Sequence, residues 1–292
     1  MYKKEYDLIF VTTFNSVDWI EHLLYSVATQ NNIVDLLIVV VAQDGLKIST
    51  SEFQSGKNNI IVLSEIEAIG LSTARNIALR YICEKNIVYS HIMFPDDDST
   101  FSSDFFLNFR NTVLKNTCYL IDVLNQGTIT QYKQNHLIDG VNLYVDDYKY
   151  AMSVNMIIDF GTLNKVQYFD PEMGVGAKYG AGEDQDFYIR CCRNDASFVY
   201  SKLLFNYHPK YLDKYKKMSV KQLSFRFKNY GNGVVYLYSK HRMYNKALEC
   251  CFRAICGGFV NLFKFNIKLS YAYFYSFFYR VTTFYKCIIK LK

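Results

Sequence analysis

The sequence has 292 residues, of which 50% are hydrophobic and 21% are charged. This composition excludes an intrinsically disordered chain, and the length suffices for one large domain or a domain with an appended segment. The formal net charge of +6 hides an asymmetry, because residues 1–199 carry 25 acidic and 15 basic side chains, whereas residues 200–292 carry 2 acidic and 18 basic ones. We therefore expect the two parts to meet different partners.

Cysteine spacing and the length of the apolar runs indicate the cellular setting. The eight cysteines form no Cys-x-x-Cys pair and no regular framework, and the first residues do not resemble a secretory signal peptide. No apolar run reaches the roughly 20 residues that a membrane-spanning helix requires. We therefore expect a cytoplasmic protein with reduced thiols.

The first hundred residues alternate between short apolar runs and segments in which apolar side chains recur at helical spacing. Two of the runs are apolar at almost every position, as expected for strands of a parallel sheet that helices cover on both faces. Ser16 and Ser72 are predicted N-caps of two intervening helices. Strands are predicted at 7–14, 35–42, 59–63 and 88–94. The alternation predicts an α/β fold with a Rossmann-like, mostly parallel sheet flanked by helices.

Polar side chains follow the ends of the predicted strands. Thr13, Asn15, Asp44 and the triplet Asp96–Asp98 all occupy such positions. Because ligands of parallel sheets bind outside the carboxyl ends of the strands, we expect these side chains to share one ligand-binding edge. Beyond residue 104 the pattern is less regular, with strands predicted at 117–124 and 152–160, a glycine-rich turn at 174–182 and a helix at 187–193.

The triplet Asp96-Asp97-Asp98 is the strongest single feature of the sequence. Clustered carboxylates repel one another unless a cation or hydrogen-bond donors neutralise them. A divalent cation at this place would also stabilise the charge that develops on a diphosphate leaving group. The alternative is a solvated acidic turn that caps a helix over residues 99–104, and the triplet alone does not decide between the two.

Glu183 and Asp184 open a predicted helix after the glycine-rich turn. Four glycines in this turn give the backbone the freedom to close over a ligand, and a carboxylate beside such a ligand suits a general base. The alternative is that the two acidic residues only complement the dipole at the N-terminus of the helix.

Arg75 and His208 are two further candidates for a functional site. Arg75 lies in the first turn of the predicted helix after Gly70, where a guanidinium and free backbone N–H groups suit an anionic phosphate or a nucleotide base. The alternative for Arg75 is an exposed salt bridge. His208 offers an imidazole ligand for the cation at the aspartate triplet, and the alternative is a structural histidine.

Five short motifs follow one another at plausible spacing between residues 8 and 208. They are Thr12-Thr13-Phe14-Asn15, Gln43-Asp44-Gly45, Gly70-Leu71-Ser72-Thr73-Ala74-Arg75-Asn76, Pro95-Asp96-Asp97-Asp98 and Gly182-Glu183-Asp184. In this order they resemble the family 2 glycosyltransferases of the GT-A fold, which transfer a sugar from a nucleotide diphosphate donor to an acceptor hydroxyl. Gln43 and Thr12 depart from the Asp and the Pro that the family usually has, which affects the expected contacts to the nucleotide base.

The resemblance implies a role for each matching residue. Asp184 is the implied catalytic base of an inverting reaction, with Glu183 as the second candidate. Asp98 and Asp96 are the implied ligands of Mn²⁺ or Mg²⁺, to which we add His208. The implied nucleotide-sugar site comprises Thr13, Asn15, Asp44, Arg75, Asp96 and Asp97. The processive members carry a Gln-x-x-Arg-Trp signature that this sequence lacks, so transfer of one sugar per encounter is expected, with UDP as the expected nucleotide.

Residues 250–292 contain seven basic and no acidic side chains among many Phe, Tyr, Leu and Ile. A segment of this kind suits the surface of an anionic membrane, so we predict peripheral association with the inner face of the cell membrane. The alternative is that the aromatic side chains pack as helices against the catalytic domain while the lysines face water. No recognised nucleic-acid module is present, and we expect no nucleic-acid partner.

The predicted organisation is a catalytic domain at 1–210, divided into a nucleotide-binding half at 1–104 and an acceptor half at 105–210, a helical connection at 211–249 and a basic, aromatic-rich helical extension at 250–292. The predicted function is hexosyl or N-acetylhexosaminyl transfer to a glycan or lipid-linked oligosaccharide in bacterial surface polysaccharide synthesis. The alternatives are a sugar nucleotidyltransferase on a related fold and a non-catalytic, membrane-associated sugar-binding protein. The former would require a glycine-rich phosphate loop near the N-terminus, which this sequence lacks.

Overall fold

The computed structural model describes residues 4–14, 16–30, 33–54, 56–132, 136–209 and 214–290. Contacts between residues divide the chain into two compact units. The first comprises Met1–Ile69, Thr73–Phe169 and Asp184–Lys210, and the second comprises Gly70–Ser72, Asp170–Glu183 and Tyr211–Lys292. The units interleave along the chain, and the sequence-based domain limits at 210 and 249 stay predictions.

The N-terminal part of the first unit is the predicted alternation of strands and helices. Its elements are β1 (Glu5–Phe14), α1 (Val17–Ala28), β2 (Leu36–Ala42), β3 (Asn58–Ser64), α2 (Leu71–Glu84) and β4 (Val88–Met93). The strands lie in the order β3-β2-β1-β4 and all three pairs are parallel. Every residue of β2 is buried, because helices cover both faces of a parallel sheet.

The remainder of the first unit extends the sheet in mixed directions. Its elements are β5 (Thr100–Phe101), α3 (Phe105–Thr112), β6 (Cys118–Asn125), β7 (Asn142–Leu143), two 3₁₀ helices (Val145–Tyr150 and Ser153–Asn155), β8 (Met156–Asp159), α4 (Phe160–Val166), α5 (Glu183–Arg193) and β9 (Phe198–His208). Strand β8 is antiparallel to both β4 and β6, whereas β6 and β9 are parallel. The α/β class with a mostly parallel sheet flanked by helices is confirmed, and the short strands β5, β7 and β8 add antiparallel pairs to it. Apolar runs give a strand's burial and not its direction.

Three local expectations are corrected by the structure. Residues 99–104 form no helix, because Thr100–Phe101 pair with β9 as strand β5. Ser16 precedes α1 without a capping side-chain hydrogen bond. Ser72 lies inside α2 instead of capping it, and its hydroxyl donates to the carbonyl of Met173 over 2.7 Å.

The second unit is helical. Its elements are α6 (Lys214–Lys217), α7 (Val220–Lys240), α8 (Tyr244–Phe263) and α9 (Ile267–Lys290). Helix α7 begins with a capping box, in which the Ser219 hydroxyl accepts from the backbone N–H of Gln222. Helix α9 packs against α7 and α8. Within the part of the chain that the structure describes, no helix is both long and apolar enough to cross a bilayer.

The segment 170–183 belongs to this helical unit and packs on α7. Lys240 Nζ lies 2.7 Å from the carboxylate of Asp170, and the rings of Tyr179 and Tyr236 stack with centroids 3.8 Å apart. The glycine-rich turn is therefore held by specific contacts and is not an isolated mobile loop.

Candidate active site

The aspartate triplet follows β4 at the carboxyl edge of the sheet, and β9 delivers His208 beside it. The Nε2 atom of His208 lies 3.2 Å from Oδ1 of Asp98 and 3.6 Å from Oδ2 of Asp96. One ligand atom of each residue lies within 4.8 Å of the others. The Nδ1 atom of His208 is 2.9 Å from the carbonyl of Pro209, which can only accept. A proton on Nδ1 is therefore donated to this carbonyl, which leaves Nε2 as the ring atom that faces the carboxylates.

The crowding of these groups shifts their protonation equilibria. Burial, together with repulsion from Asp98 and Asp96, raises the pKa of Asp97 to about 7. Burial alone would lower the pKa of His208, but its contacts with Asp96 and Asp98 outweigh that effect and raise the pKa above its ordinary value. Both shifts favour the protonated form of these two side chains, because a proton relieves the repulsion among the neighbouring carboxylates.

Arg75 connects this cluster to the second acidic motif. Its side chain on α2 is only 2% exposed. The Nη1 atom lies 3.2 Å from Oδ1 of Asp184, and Nη2 lies 3.2 Å from Oδ1 of Asp96 and 2.7 Å from Oγ of Ser153. The guanidinium also lies 5.2 Å from the ring centre of Phe169. An exposed salt bridge is therefore the wrong interpretation of Arg75, which is a buried bridge between two carboxylates.

Asp184 and Glu183 have different surroundings at the start of α5. The side chain of Asp184 is 24% exposed and contacts Arg75. Burial raises its pKa, while the positive charge of Arg75 partly offsets that rise. Glu183 is only 7% exposed, and a Cβ atom at Gly174 would lie 3.1 Å from its Cδ. Of the two carboxylates, Asp184 is the one beside the aspartate triplet. Both residues lie in the first turn of α5, where either carboxylate can also interact favourably with the helix dipole.

The residues expected near the nucleotide base lie at the ends of β1 and β2. The Thr13 hydroxyl donates to the carbonyl of Val41 over 2.9 Å and accepts from Nε2 of Gln43 over 2.7 Å. Oε1 of Gln43 in turn accepts from the backbone N–H of Ile69 over 2.8 Å. Asp44 is exposed at a backbone φ of +56°. Asn15 lies outside the described residues.

Gln43 and Ser153 are site residues that the sequence did not reveal. In the sequence Gln43 is only a departure from a motif, yet its buried side chain joins Thr13 to the backbone before α2. Its position directly after a fully apolar strand was the available signal. Ser153 lies in a 3₁₀ helix and carries no recognisable pattern, so only the fold could bring it to Arg75.

The comparison with sequence families decides the affiliation. The family described as Glycosyl transferase family 2 matches residues 8–166, more than half of the chain. The chain belongs to this family. This family 2 member is thus a glycosyltransferase. No curated protein matches its sequence.

Solved structures of other glycosyltransferases share the fold. S. aureus TarS 1–349 superposes with a TM-score of 0.54 at 15% identity, covering 96% of this chain and 90% of that one. A longer S. aureus TarS structure gives a TM-score of 0.54 at 16% identity, over 80% of this chain but 43% of that one. GalNAc-T7 with UDP, GalNAc and Mn²⁺ gives 0.51 at 14% identity, over 81% and 50%. The chain thus spans less than half of the longer TarS.

Proposed function

We propose that this enzyme is an inverting, metal-dependent and non-processive glycosyltransferase that uses a UDP-sugar. The observation that carries the proposal is the bridge by Arg75 between Asp184 and Asp96. It brings the candidate base and the aspartate triplet into one cluster, although 109 residues separate Arg75 from Asp184. An inverting reaction needs a base on one side of the anomeric carbon and a stabilised leaving group on the other.

The donor atoms of Asp96, Asp98 and His208 fit a divalent cation. Two carboxylates and one imidazole nitrogen within 4.8 Å of one another match a first coordination shell. The imidazole favours Mn²⁺ over Mg²⁺, because Mg²⁺ prefers oxygen ligands and water. When bound, the cation supplies Lewis-acid stabilisation of the negative charge on the departing diphosphate.

Asp184 is the proposed base. Its carboxylate takes the proton of the acceptor hydroxyl while the oxygen attacks the anomeric carbon, and the bond from that carbon to the nucleoside diphosphate breaks with its electron pair on the leaving group. Arg75 positions the Asp184 carboxylate and favours its ionised form, which is the form that accepts a proton. Glu183 is buried against Gly174 and is the weaker candidate.

Nucleotide binding is assigned to the carboxyl edge of β1, β2 and β4. Thr13 and Asp44 are proposed to hold the base, Arg75 to help hold the nucleotide, and Asp96 to lie near the ribose. Asn15 and Asp97 are proposed as further residues of the nucleotide-sugar site. TarS in complex with UDP-GlcNAc and GalNAc-T7 with UDP and GalNAc support UDP as the nucleotide and a hexose or N-acetylhexosamine as the sugar.

The acceptor is proposed to be a glycan or a lipid-linked oligosaccharide of a bacterial surface polysaccharide. The support is the charge of the C-terminal helices, which carry no acidic residue after Glu249. Helices α8 and α9 pack with α7, yet many of their aromatic and aliphatic side chains stay exposed. We propose that these helices hold the enzyme at the cytoplasmic face of an anionic membrane, where such an acceptor would reside.

A screen of nucleotide sugars by thermal shift, with and without Mn²⁺, tests the donor and the cation together. A ligand that binds only the folded state raises the melting temperature, so UDP-sugars with Mn²⁺ are expected to give the largest rise. Release of UDP from the donor supports glycosyl transfer, whereas release of pyrophosphate would identify a nucleotidyltransferase. A donor that binds but is never cleaved, even in water, would indicate a non-catalytic sugar-binding protein. The anomeric configuration of the product, read by NMR, decides between inversion and retention.

A further inference from the structure

The turn between α8 and α9 exposes a compact group of large apolar side chains. Phe263 is 79% exposed, Phe265 89% and Ile267 61%. Lys264 and Lys268 alternate with them along the chain. We call residues 263–268 the apolar turn. Isolated apolar side chains are common on protein surfaces, but an exposed cluster of this size marks an interaction site.

Helices α8 and α9, which the apolar turn connects, pack closely against each other. A Cβ atom at Gly257 would lie 2.8 Å from the Tyr273 ring, and one at Gly258 would lie 2.6 Å from the Phe274 ring. The hydroxyl of Ser270 donates to the carbonyl of Gly258 over 2.9 Å. These contacts show that the two helices pack tightly directly before and after the turn. The side chains of Phe263, Phe265 and Ile267 stay exposed to water beside that packing.

Phe265 has a backbone φ of +55°. This left-handed region favours glycine or asparagine, and a bulky residue there costs conformational energy. Asn266 follows directly, and its side chain accepts from the backbone N–H of Leu269 over 3.2 Å. A large aromatic ring at the strained position, exposed to water, contributes little to folding. Its presence is explained if the ring binds something outside the molecule.

Charge identifies the occupant. No acidic residue follows Glu249, whereas Arg253, Lys264 and Lys268 are among seven cations in the rest of the chain. A second copy of the same surface would bring like charges together. An anionic lipid surface instead offers phosphates to the lysines and an apolar boundary to the rings, and lysine stems extend along that boundary.

We infer that the apolar turn is the element that inserts into an anionic bilayer, with Phe263, Phe265 and Ile267 below the lipid phosphates and Lys264 and Lys268 at their level. The inference rests on the proposed membrane association of the C-terminal helices and specifies which residues penetrate.

Insertion can be read directly because Trp19 is the only tryptophan of the chain. In a Trp19→Phe background, Phe265→Trp provides a single fluorophore at the apolar turn. We expect its emission to shift to shorter wavelength with vesicles that contain equal amounts of phosphatidylcholine and phosphatidylglycerol, and to be quenched by brominated acyl chains. The matched control is Phe225→Trp, which replaces an exposed ring on α7 and should show neither effect.

A paired substitution measures the contribution to binding. Phe263→Ser with Phe265→Ser should weaken sedimentation with the same vesicles by about tenfold or more, most clearly at high salt, where the electrostatic attraction is screened. Ile66→Ser with Ile129→Ser removes two equally exposed apolar side chains from the first unit and should leave binding unchanged. Equal melting temperatures show that the variants fold.

The outcomes distinguish insertion of the apolar turn from membrane association of the protein as a whole. If the wild-type chain does not bind anionic vesicles, the membrane association fails and the inference falls with it. If the wild type binds but Phe265→Trp neither shifts nor is quenched, only the insertion of the apolar turn is overturned. Loss of self-association in the serine variant, without a change in vesicle binding, would instead assign the apolar turn to a contact between copies. Sugar transfer does not enter the test.

Discussion

The Nη1 atom of Arg75 lies 3.2 Å from the Oδ1 atom of Asp184. This ion pair joins the helix after β3 to the helix after the glycine-rich turn. The same guanidinium contacts Asp96 through Nη2, so one buried side chain sets the distance between the proposed base and the aspartate triplet. The chemistry of the site is therefore expected to depend on Arg75 as well as on the carboxylates.

Asp184→Asn should abolish most turnover while donor binding persists. An amide keeps the shape of the side chain but cannot accept the acceptor's proton, and loss of a general base commonly lowers kcat by about 10²–10⁴-fold. Steady-state kinetics with a donor titration by calorimetry would separate the two effects. Glu183→Gln is the control and should retain most turnover. If Glu183→Gln proved the crippling change, the base would be the neighbouring residue.

Arg75→Gln should lower both stability and activity. The substitution removes the guanidinium charge that pairs with the carboxylates of Asp96 and Asp184. Because both carboxylates are partly exposed, we expect a loss of about 1–3 kcal/mol in the free energy of unfolding. The acid limb of the pH–rate profile should also move to higher pH, because Arg75 lowers the pKa of Asp184. Urea denaturation and pH–rate measurements check the two effects, and an unmoved acid limb would contradict the positioning role.

Asp98→Ala and His208→Ala should each weaken Mn²⁺ binding by tenfold or more, and EDTA should abolish transfer by the wild type. The raised pKa of His208 means that the cation competes with a proton. Mn²⁺ affinity should therefore rise with pH through the neutral range, with proton release detectable by calorimetry in buffers of different ionisation enthalpy. Full activity in EDTA would remove the cation from the mechanism.

Asp97→Asn should change how stability depends on pH in the metal-free protein. The folded-state pKa of about 7 lies well above the ordinary pKa of an aspartate, which is near 3.8. The folded state therefore binds an extra proton between these two values, and the free energy of unfolding falls as the pH rises from the lower to the higher. One such group contributes a slope of up to about 1.4 kcal/mol per pH unit. Urea denaturation from pH 4 to 8 should show a shallower fall in the variant. An unchanged slope would assign the effect to other groups.

Gly233→Ala should disturb the segment before Asp184. A Cβ atom at Gly233 would overlap the backbone carbonyl oxygen of Ala181, so the glycine-rich turn must shift, and overpacking of this kind costs about 1–3 kcal/mol. We expect kcat to fall more than donor affinity. The glycine-rich turn leads through Glu183 directly to Asp184, the proposed base.

The control for this substitution is Gly231→Ala on the same helix. A Cβ atom there meets the Arg280 side chain, away from the backbone of the turn. The two variants share the same change in helix propensity, so a larger loss of kcat in Gly233→Ala isolates the contact with Ala181. Equal losses of kcat in the two variants would mean that α7 influences only the stability of the protein.

The sequence alone determined the N-terminal half of the sheet and the identity of the acidic motifs. An apolar run as short as Leu36–Ala42, apolar at every position, is typical of a buried strand, and polar residues after parallel strands share one edge of the sheet. The basic character of the C-terminal helices was equally visible, since charge is a property of composition.

Only the tertiary structure decided which side chains meet. His208 contacts Asp98 because β9 joins the sheet beside β6. Arg75 contacts Asp184, Asp96 and Ser153 because it lies buried on α2. The direction of β8 and the packing of the glycine-rich turn on α7 were also decided at that level. Periodicity records how each residue is buried, but contacts over a hundred residues of chain arise from the packing of whole elements.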